Sequence, residues 1–250
     1  MKLEVAGISH TGAVRESNQD VVAWQVTDDG GSALLVVADG MGGYQGGEIA
    51  SRLAADSVME VMVPVLFMDE ADKGEIDPND CLETAFDLAN DRILERRKTD
   101  ERLEKMGTTL VVAWVEGNTA HITHAGDSRC YLIRDGQPTC LTRDDTVVQN
   151  MLEDGSINEA DVANVPFRNV LTRAVGAMNP LELTFCSQPV RTGDCLLLCS
   201  DGLTHSVPEA EWNRILKESE SRESAVNALI EAALERQASD NVSVVLLTLK

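Results

Sequence analysis

The chain has 250 residues, 43% of them apolar, and it sets 21 Lys and Arg against 42 Asp and Glu, a formal net charge of −21. That length and apolar content suffice for one domain with a sizeable core and exclude global disorder. The charge excludes a nucleic-acid binder, whose footprint is basic, and an anionic membrane surface as partner. The opening residues MKLEVAGISHTGAV contain no apolar run of signal-peptide length. The longest apolar stretch, Val61 to Met68, is too short to cross a bilayer and contains Pro64. A cytoplasmic protein without membrane insertion is the expectation. Six cysteines, at 81, 130, 140, 186, 195 and 199, form no C-x-x-C pair and stand at no zinc spacing with histidine. Buried, reduced thiols are expected.

Strands come first. LEVAGISH, VVAWQV and SALLVVAD are short, apolar and β-branched, with turn residues between them. From Gly46 to about Met68 the pattern turns helical, and a second helix is predicted from Asn79 to Lys98 with Leu82, Phe86, Ala89 and Ile93 on one face. GTTLVVAWVE, TAHITHAG and RCYLIRDG read as strands again, the last ending in a hairpin signal, Asp135-Gly136. The acidic, mixed segment from about 144 to 168 is interrupted by Gly155 and Pro166 and reads as short helices on a mobile flap. LELTFCSQPV and DCLLLCS follow as strands, then helices over Pro208 to Leu216 and Glu223 to Arg236, then a final strand in NVSVVLLTL. Short connections between neighbouring strands suit antiparallel pairing. The order is that of stacked antiparallel sheets with helices packed outside, in one domain over 1–250.

The chemistry centres on VVADGMGGYQGGEIAS, Val36 to Ser51. Strand, glycine loop and helix is a phosphate-holding arrangement, but two specific versions of it fail. A dinucleotide fingerprint requires Gly or Ala where Gln45 stands and an acid about twenty residues after the glycines, whereas Asp39 precedes them. A Walker loop requires G-K-[ST], and no lysine lies between Lys2 and Lys73. The alternative is that Asp39 holds a cation and the cation holds a phosphate. Matching acids exist: Asp201 ends LLLCSDG, Asp127 ends THAGDSR, and Asp240 begins SDNVSVVLL. In antiparallel sheets the end of one strand lies beside the start of its neighbour, which lets Asp39, Asp201 and Asp240 meet at one edge. Carboxylates so close repel unless protonated or metal-bound, and an all-oxygen set suits Mg²⁺ or Mn²⁺. Any single Asp-Gly pair is more often a plain turn, so the combination carries the reading.

Taken in order, RESNQD, VVADGMGG, GTTLVVAWV, AGDSRCYLIRDG, LTRDDT, RNVLTRAVG, LLLCSDGL and SDNVSVVLL resemble the metal-dependent Ser/Thr protein phosphatases of type 2C, in their compact bacterial form. The resemblance spans nearly the whole chain. It implies an α+β fold, a four-layer α/β/β/α sandwich of two stacked antiparallel sheets flanked by helices, with a flap subdomain at about 144–168. It implies hydrolysis of phosphoserine and phosphothreonine in proteins by direct attack of a metal-bridging water, with two Mn²⁺ or Mg²⁺ ions. In that scheme Asp39 bridges the ions, Gly40 ligates through its carbonyl, Asp201 and Asp240 hold the second ion, and Asp20 acts through metal-bound water. Asp127, with Asp201, matches a third-metal site of bacterial members, and Arg15 matches the phosphate-binding arginine, whose planar fork suits the task. The implied partners are phosphoproteins and a bacterial Ser/Thr kinase that the enzyme opposes, with the enzyme itself a monomer.

The chain departs from the family pattern at several points. Met41 stands where many eukaryotic members carry a histidine that is a candidate general acid, which leaves protonation of the leaving group to water. Tyr44, Asp145 and Val165 stand where bacterial relatives often show histidines, and Gln19 where some carry glutamate. His10, His121, His124 and His205 read as ordinary strand and loop residues, and Arg173 as one half of a structural ion pair near the flap. A phosphoprotein-binding pseudophosphatase on the same fold is the second reading, supported only by the altered flap and missing histidines. A cation-buffering protein is the third, and it lacks any EF-hand loop.

Overall fold

The computed structural model describes residues 2–42 and 46–250. The substitutions at Tyr44 and Gln45, and the glycine turn at Gly43, lie outside the described residues. Strands β1 (Leu3–His10), β2 (Asp20–Val26) and β3 (Ser32–Met41) come first, then helices α1 (Gly46–Leu66), α2 (Glu70–Lys73) and α3 (Pro78–Arg97). A 3₁₀ turn (Glu101–Leu103) leads into β4 (Gly107–Thr108), β5 (Leu110–Glu116), β6 (Thr119–Ala125), β7 (Arg129–Arg134) and β8 (Gln137–Cys140). Helix α4 (Val147–Glu153) and a second 3₁₀ turn (Glu159–Asn164) precede β9 (Thr184–Pro189) and β10 (Cys195–Cys199). Helices α5 (Asp201–Ser206), α6 (Glu209–Glu218) and α7 (Arg222–Glu235) and strand β11 (Val242–Leu249) follow.

The strands form two antiparallel sheets, one in the order β1-β11-β10-β7-β8 and the other β2-β3-β5-β6-β9, with β4 paired to the end of β3. Strand β3 shows why the sequence demands this arrangement. Its run from Ala33 to Ala38 is apolar without alternation, as a strand buried on both faces requires. Leu34, Val36 and Ala38 pack under α1 and α3, while Ala33, Leu35 and Val37 pack against the second sheet. On that second sheet Leu196, Leu198, Val245 and Leu247 face inward, and Leu197, Val244 and Leu246 face α5, α6 and α7. The result is helix, sheet, sheet, helix, the expected four layers.

Helix α3 is delimited by its own sequence. The Asp77 side chain accepts the Asn79 N–H, Pro78 occupies the first turn, and Arg96 and Arg97 lie in the last, where they complement the helix dipole. Leu82, Phe86, Ala89 and Ile93 are buried, as their spacing predicts. The Asp135-Gly136 turn joins β7 to β8 with φ of 54° and 78° at its two residues, the left-handed pair that a two-residue hairpin needs. The six cysteines are free thiols, but only Cys130 and Cys199 are buried. Cys140 is exposed on the short strand β8, and Cys81, Cys186 and Cys195 are half-buried. Positions on edge strands β8 and β9, on the surface of α3 and at the start of β10 thus correct the expectation of uniform burial.

Candidate active site

Counting residues along the inward faces leads to the site. On β3 the inward set is Ala33, Leu35 and Val37, so the next residue of that parity is Asp39, at the end where the two sheets open. Asp20 pairs with Asp39 across the β2–β3 ladder and therefore shares its face. On the facing sheet the same parity puts Ser200 after Leu196 and Leu198, and Ser243 before Val245 and Leu247. These polar residues replace the apolar ones of the inter-sheet core as it approaches the edge.

Asp39 is fixed by its backbone. Its carbonyl accepts from Thr108 Oγ1 and the Thr109 N–H, both at 2.8 Å, and its N–H donates to Thr109 Oγ1 at 3.1 Å. Gly40 is fixed by contact: a Cβ there would come within 2.1 Å of the Gly47 carbonyl oxygen at the start of α1, so only glycine lets the two backbones cross. Beneath them the buried Asp20 accepts on Oδ2 from Ser200 Oγ at 2.8 Å and Ser243 Oγ at 2.7 Å. Arg15, on the β1–β2 loop, donates to Asp240 Oδ2 at 2.7 Å, and the Asn241 N–H donates to Asp240 Oδ1 at 2.8 Å.

Asp39, Gly40, Asp127, Asp201, Asp240 and Arg15 line one cleft of about 360 Å³, with Asp20 below its floor. All seven residues singled out in the sequence therefore stand at one edge of the sandwich. Arg15 is the one cationic side chain among the described residues that line it. Burial, followed by the charges of Asp20, Asp201, Asp127 and Asp240, pushes Asp39 well above the usual carboxylate range. Burial likewise raises Asp127 to about 7, with Asp201 and Asp144 adding to it. Asp20 rises to about 6 by burial, against the opposing effect of its two serine hydroxyls. Asp201 is raised by burial, with His205 pulling the other way. Burial and the neighbouring carboxylates together disfavour ionisation of this cluster, and a cation would relieve both.

Whether these residues fit such a cation is tested by their oxygens. Asp20 Oδ1 and Asp201 Oδ1 are buried and have no hydrogen-bond partner among the described residues. Such orphaned acceptors are costly in a folded protein unless something positive meets them. No three His, Cys, Asp or Glu side chains among the described residues stand close enough to enclose an ion by themselves. The reason is visible in the contacts: Asp20 turns one oxygen onto serines, and Asp240 turns both of its oxygens onto hydrogen-bond donors. Mg²⁺-like ions keep several waters and take only one or two carboxylates, so a sparse oxygen set fits them.

Several contributors had weaker sequence signals. His205 lies on α5, one helical turn after Asp201, with Nδ1 3.4 Å from Asp201 Oδ2. It also lines a second cleft of about 600 Å³ beside the first, together with Asp240, Arg168 and Glu159. This corrects the reading of His205 as an ordinary loop residue; the four-residue spacing after Asp201 was the available signal. The other histidines are ordinary: His124 is buried against the Arg143 carbonyl at 2.7 Å, His121 meets Ser187, and His10 accepts from the Gly12 N–H. Arg173 pairs with Asp145 at 3.3 Å, as a structural ion pair near the flap should. Thr108, Thr109, Ser200, Ser243 and Asn241 lie inside the motifs GTTLVVAWV, LLLCSDGL and SDNVSVVLL, but a hydroxyl or amide there shows no role until its distant partner is in place. Another cleft, of about 590 Å³, opens at the far end of the sandwich beside Phe67 and Met68. Its Lys73 is already paired with Glu116 at 3.1 Å, and none of the seven site residues lies there.

A four-layer α/β/β/α sandwich with an all-oxygen, acid-lined cleft at the open edge of its sheets defines the class of protein. The chain belongs to the protein phosphatase 2C family, whose sequence profile matches residues 6–238. It is 37% identical over 243 residues to the serine/threonine protein phosphatase PstP of Mycobacterium tuberculosis, covering 97% of this chain and 44% of that protein. The chain thus spans less than half the length of that relative. It is 34% identical over 213 residues to the serine/threonine phosphatase stp of Listeria innocua, covering 85% of this chain and 83% of that protein. Among solved structures, the catalytic domain of PstP in complex with two manganese ions superimposes with a TM-score of 0.84 at 34% identity, covering 98% of this chain and 97% of that one. No helix among the described residues is long and apolar enough to cross a membrane.

Proposed function

We propose that this protein removes phosphate from phosphoserine and phosphothreonine in proteins, with two Mn²⁺ or Mg²⁺ ions held at the floor of the acid cleft. The observation that carries the reading is the convergence of Asp39, Asp127, Asp201 and Asp240 on one cleft that also holds Arg15. In this reading Asp39 and the Gly40 carbonyl would hold one ion, and Asp201 and Asp240, alongside Asp39, would hold the other, with waters completing each shell. Asp20 acts through bound water, and Asp127 with Asp201 offers a third position. Bound ions would supply Lewis acidity toward a water and toward the phosphoryl oxygens.

The chain's own residues do the rest. The backbone bonds from Thr108 and Thr109 fix Asp39 without using its carboxylate, which stays available at the floor. Ser200 and Ser243 hold Asp20 in one rotamer. Arg15, whose side chain is 53% exposed, can leave Asp240 and set its fork on two phosphoryl oxygens, holding them alike in the bound substrate and in the transition state. Water attacks phosphorus in line with the serine or threonine oxygen; the P–O bond breaks, and inorganic phosphate and a free hydroxyl result. The Met41 side chain lines the cleft and has no proton to give, so solvent protonates the departing oxygen. No cysteine lines the cleft among the described residues, and no phosphoenzyme is needed.

Phosphoproteins, a Ser/Thr kinase acting in opposition, a monomeric state and a cytoplasmic location complete the proposal. Purified protein with Mn²⁺ should release phosphate from a phosphothreonine peptide, and Asp39→Asn should not. Equal and negligible release by both would end this reading. A pseudophosphatase would bind the peptide without turnover; the presence of Asp39, Asp201 and Asp240 together speaks against it.

A further inference from the structure

The β1–β2 loop, residues 11–19, carries Arg15, and one buried side chain ties both of its ends. Asn241 is 5% exposed. Its Nδ2 donates to the Thr11 and Ser17 carbonyls, each at 2.9 Å, and its Oδ1 accepts from the Gln19 N–H at 2.8 Å. Both donor hydrogens and the acceptor of the amide are thereby engaged. The near side of the loop rests on the same segment of chain. The Ala13 N–H donates to the Ala238 carbonyl at 2.9 Å. Gly12 has φ of +83° and lies where a Cβ would come within 2.0 Å of the Asp240 carbonyl oxygen. The tip, by contrast, projects: Val14 is 65% exposed, and the Arg15 side chain 53%. The Gln19 carbonyl is also held, by the Gly40 N–H at 3.1 Å and Ser51 Oγ at 2.6 Å, but Asn241 is the side chain among the described residues that bonds both ends of the loop.

We propose that Asn241 is the positioning residue for Arg15, clamping the loop so that the guanidinium is presented over the acid cleft as the phosphate-binding group; this rests on the phosphatase reading. Asp240 turns its carboxylate to the cleft, while its neighbour turns its amide back to the loop. The physical need is angular. A planar fork engages two phosphoryl oxygens only from a narrow range of directions, and a nine-residue loop held at one end samples many. An amide that bonds three backbone groups from both ends removes that freedom before substrate arrives.

The test compares Asn241→Ala, Arg15→Ala and the double variant. With Mn²⁺ and a phosphothreonine peptide, either single change should raise KM, and the inhibition constant of inorganic phosphate, about tenfold, the scale of one charge-assisted hydrogen bond. It should move kcat much less, as loss of ground-state and transition-state binding together requires. Because Asn241 acts through Arg15, the double variant should be no worse than Arg15→Ala. Calorimetric titration of Asn241→Ala with Mn²⁺ should match the parent protein, and amide exchange should quicken in residues 11–19 and nowhere in the sheets. Asn241→Asp keeps the side-chain volume and the Gln19 bond but loses both donors, and it should behave like the alanine variant. Multiplying effects in the double variant, weakened Mn²⁺ binding with KM unchanged, or unaltered exchange in residues 11–19 would overturn the proposal. So would failure of both Asn241 variants to fold, which would mark the residue as structural. A parent protein without turnover would sink the phosphatase reading alone, and the exchange comparison, which needs no turnover, would still decide the clamp.

Discussion

The floor of the cleft and the segment 144–168 beside it are built in opposite ways. The floor is made of strand ends: Asp39, Asp20, Ser200 and Ser243 occupy inward positions set by sheet register, and the two cores on either side of that sheet hold them there. The segment between residues 144 and 168 has a short helix, α4, with no buried residue, and a 3₁₀ turn. Its attachment is concentrated at the base. There Thr146 bridges Leu171, the Val147 N–H donates to the Val170 carbonyl at 2.9 Å, and Asp145, 1% exposed, meets Arg173 at 3.3 Å and the Gly126 N–H at 3.1 Å. Groups that must hold a cation need positions fixed by many contacts, whereas a segment with few buried apolar contacts belongs to the low-stability end of a fold. The two regions touch: Gly126, which bonds Asp145, immediately precedes Asp127.

The sharpest way to break this comparison is at Asp39. Asparagine there keeps the shape but removes the central charge, and it should lower Mn²⁺-dependent turnover by at least about 10²- to 10³-fold. Without metal the same variant should melt at or above the parent temperature, since it relieves a carboxyl crowded by four others. A lower melting temperature in chelator would mean the acids are not in repulsion. Next comes Gly40→Ala, whose Cβ would meet the Gly47 carbonyl oxygen at 2.1 Å. It should cost about 1–3 kcal/mol in urea unfolding, the usual range for overpacking.

A pH series is subtler. In the metal-free folded chain Asp20 holds its proton up to about 6 and Asp127 up to about 7, against 3.8 when unfolded. Their folded values are raised, so the stability linked to them is complete below about 3.8 and is lost as pH rises through 6 to 7. In chelator the melting temperature should fall between about pH 4 and 7 and level off above, and saturating Mn²⁺ should flatten that slope. A flat curve in chelator would show that the floor is not crowded. The smallest effect is expected on the segment 144–168. Phe167, 63% exposed, should tolerate alanine within about 0.5 kcal/mol of stability. The same change should raise KM for a phosphopeptide more than for a small aryl phosphate, and equal changes for both would detach Phe167 from peptide recognition.

Much of this was legible in the residues. The unbroken apolar run of β3 announces a strand buried on two faces, and the helical spacing from Leu82 to Ile93 announces the covering layer. Asp20 and Asp39 stand at strand ends, and Asp127, Asp201 and Asp240 lie two residues beyond one, close enough for the strand pattern to place them at the edge. Less was legible where partners come from distant chain. The inward serines at 200 and 243 matter only because the sheets stack so that both reach Asp20. Asn241 matters only because a loop more than two hundred residues away folds back onto it. His205, by contrast, sits near Asp201 through local geometry, since both lie on α5 four residues apart.

The Asp-Gly dipeptide divides what sequence determined from what tertiary structure decided. It occurs at 29, 39, 135, 154 and 201. At Asp29, Asp135 and Asp154 the glycine that follows has positive φ and the chain turns, as local preference alone dictates. At Asp39 the pair continues a strand, and at Asp201 it opens a helix. Local sequence fixes periodicity, capping and turn preference, because those depend on neighbours a few residues away. Which acids become turns and which become a cation floor depends on which strands lie side by side, and that is settled by the burial of three cores, one between the sheets and one under the helices on either side.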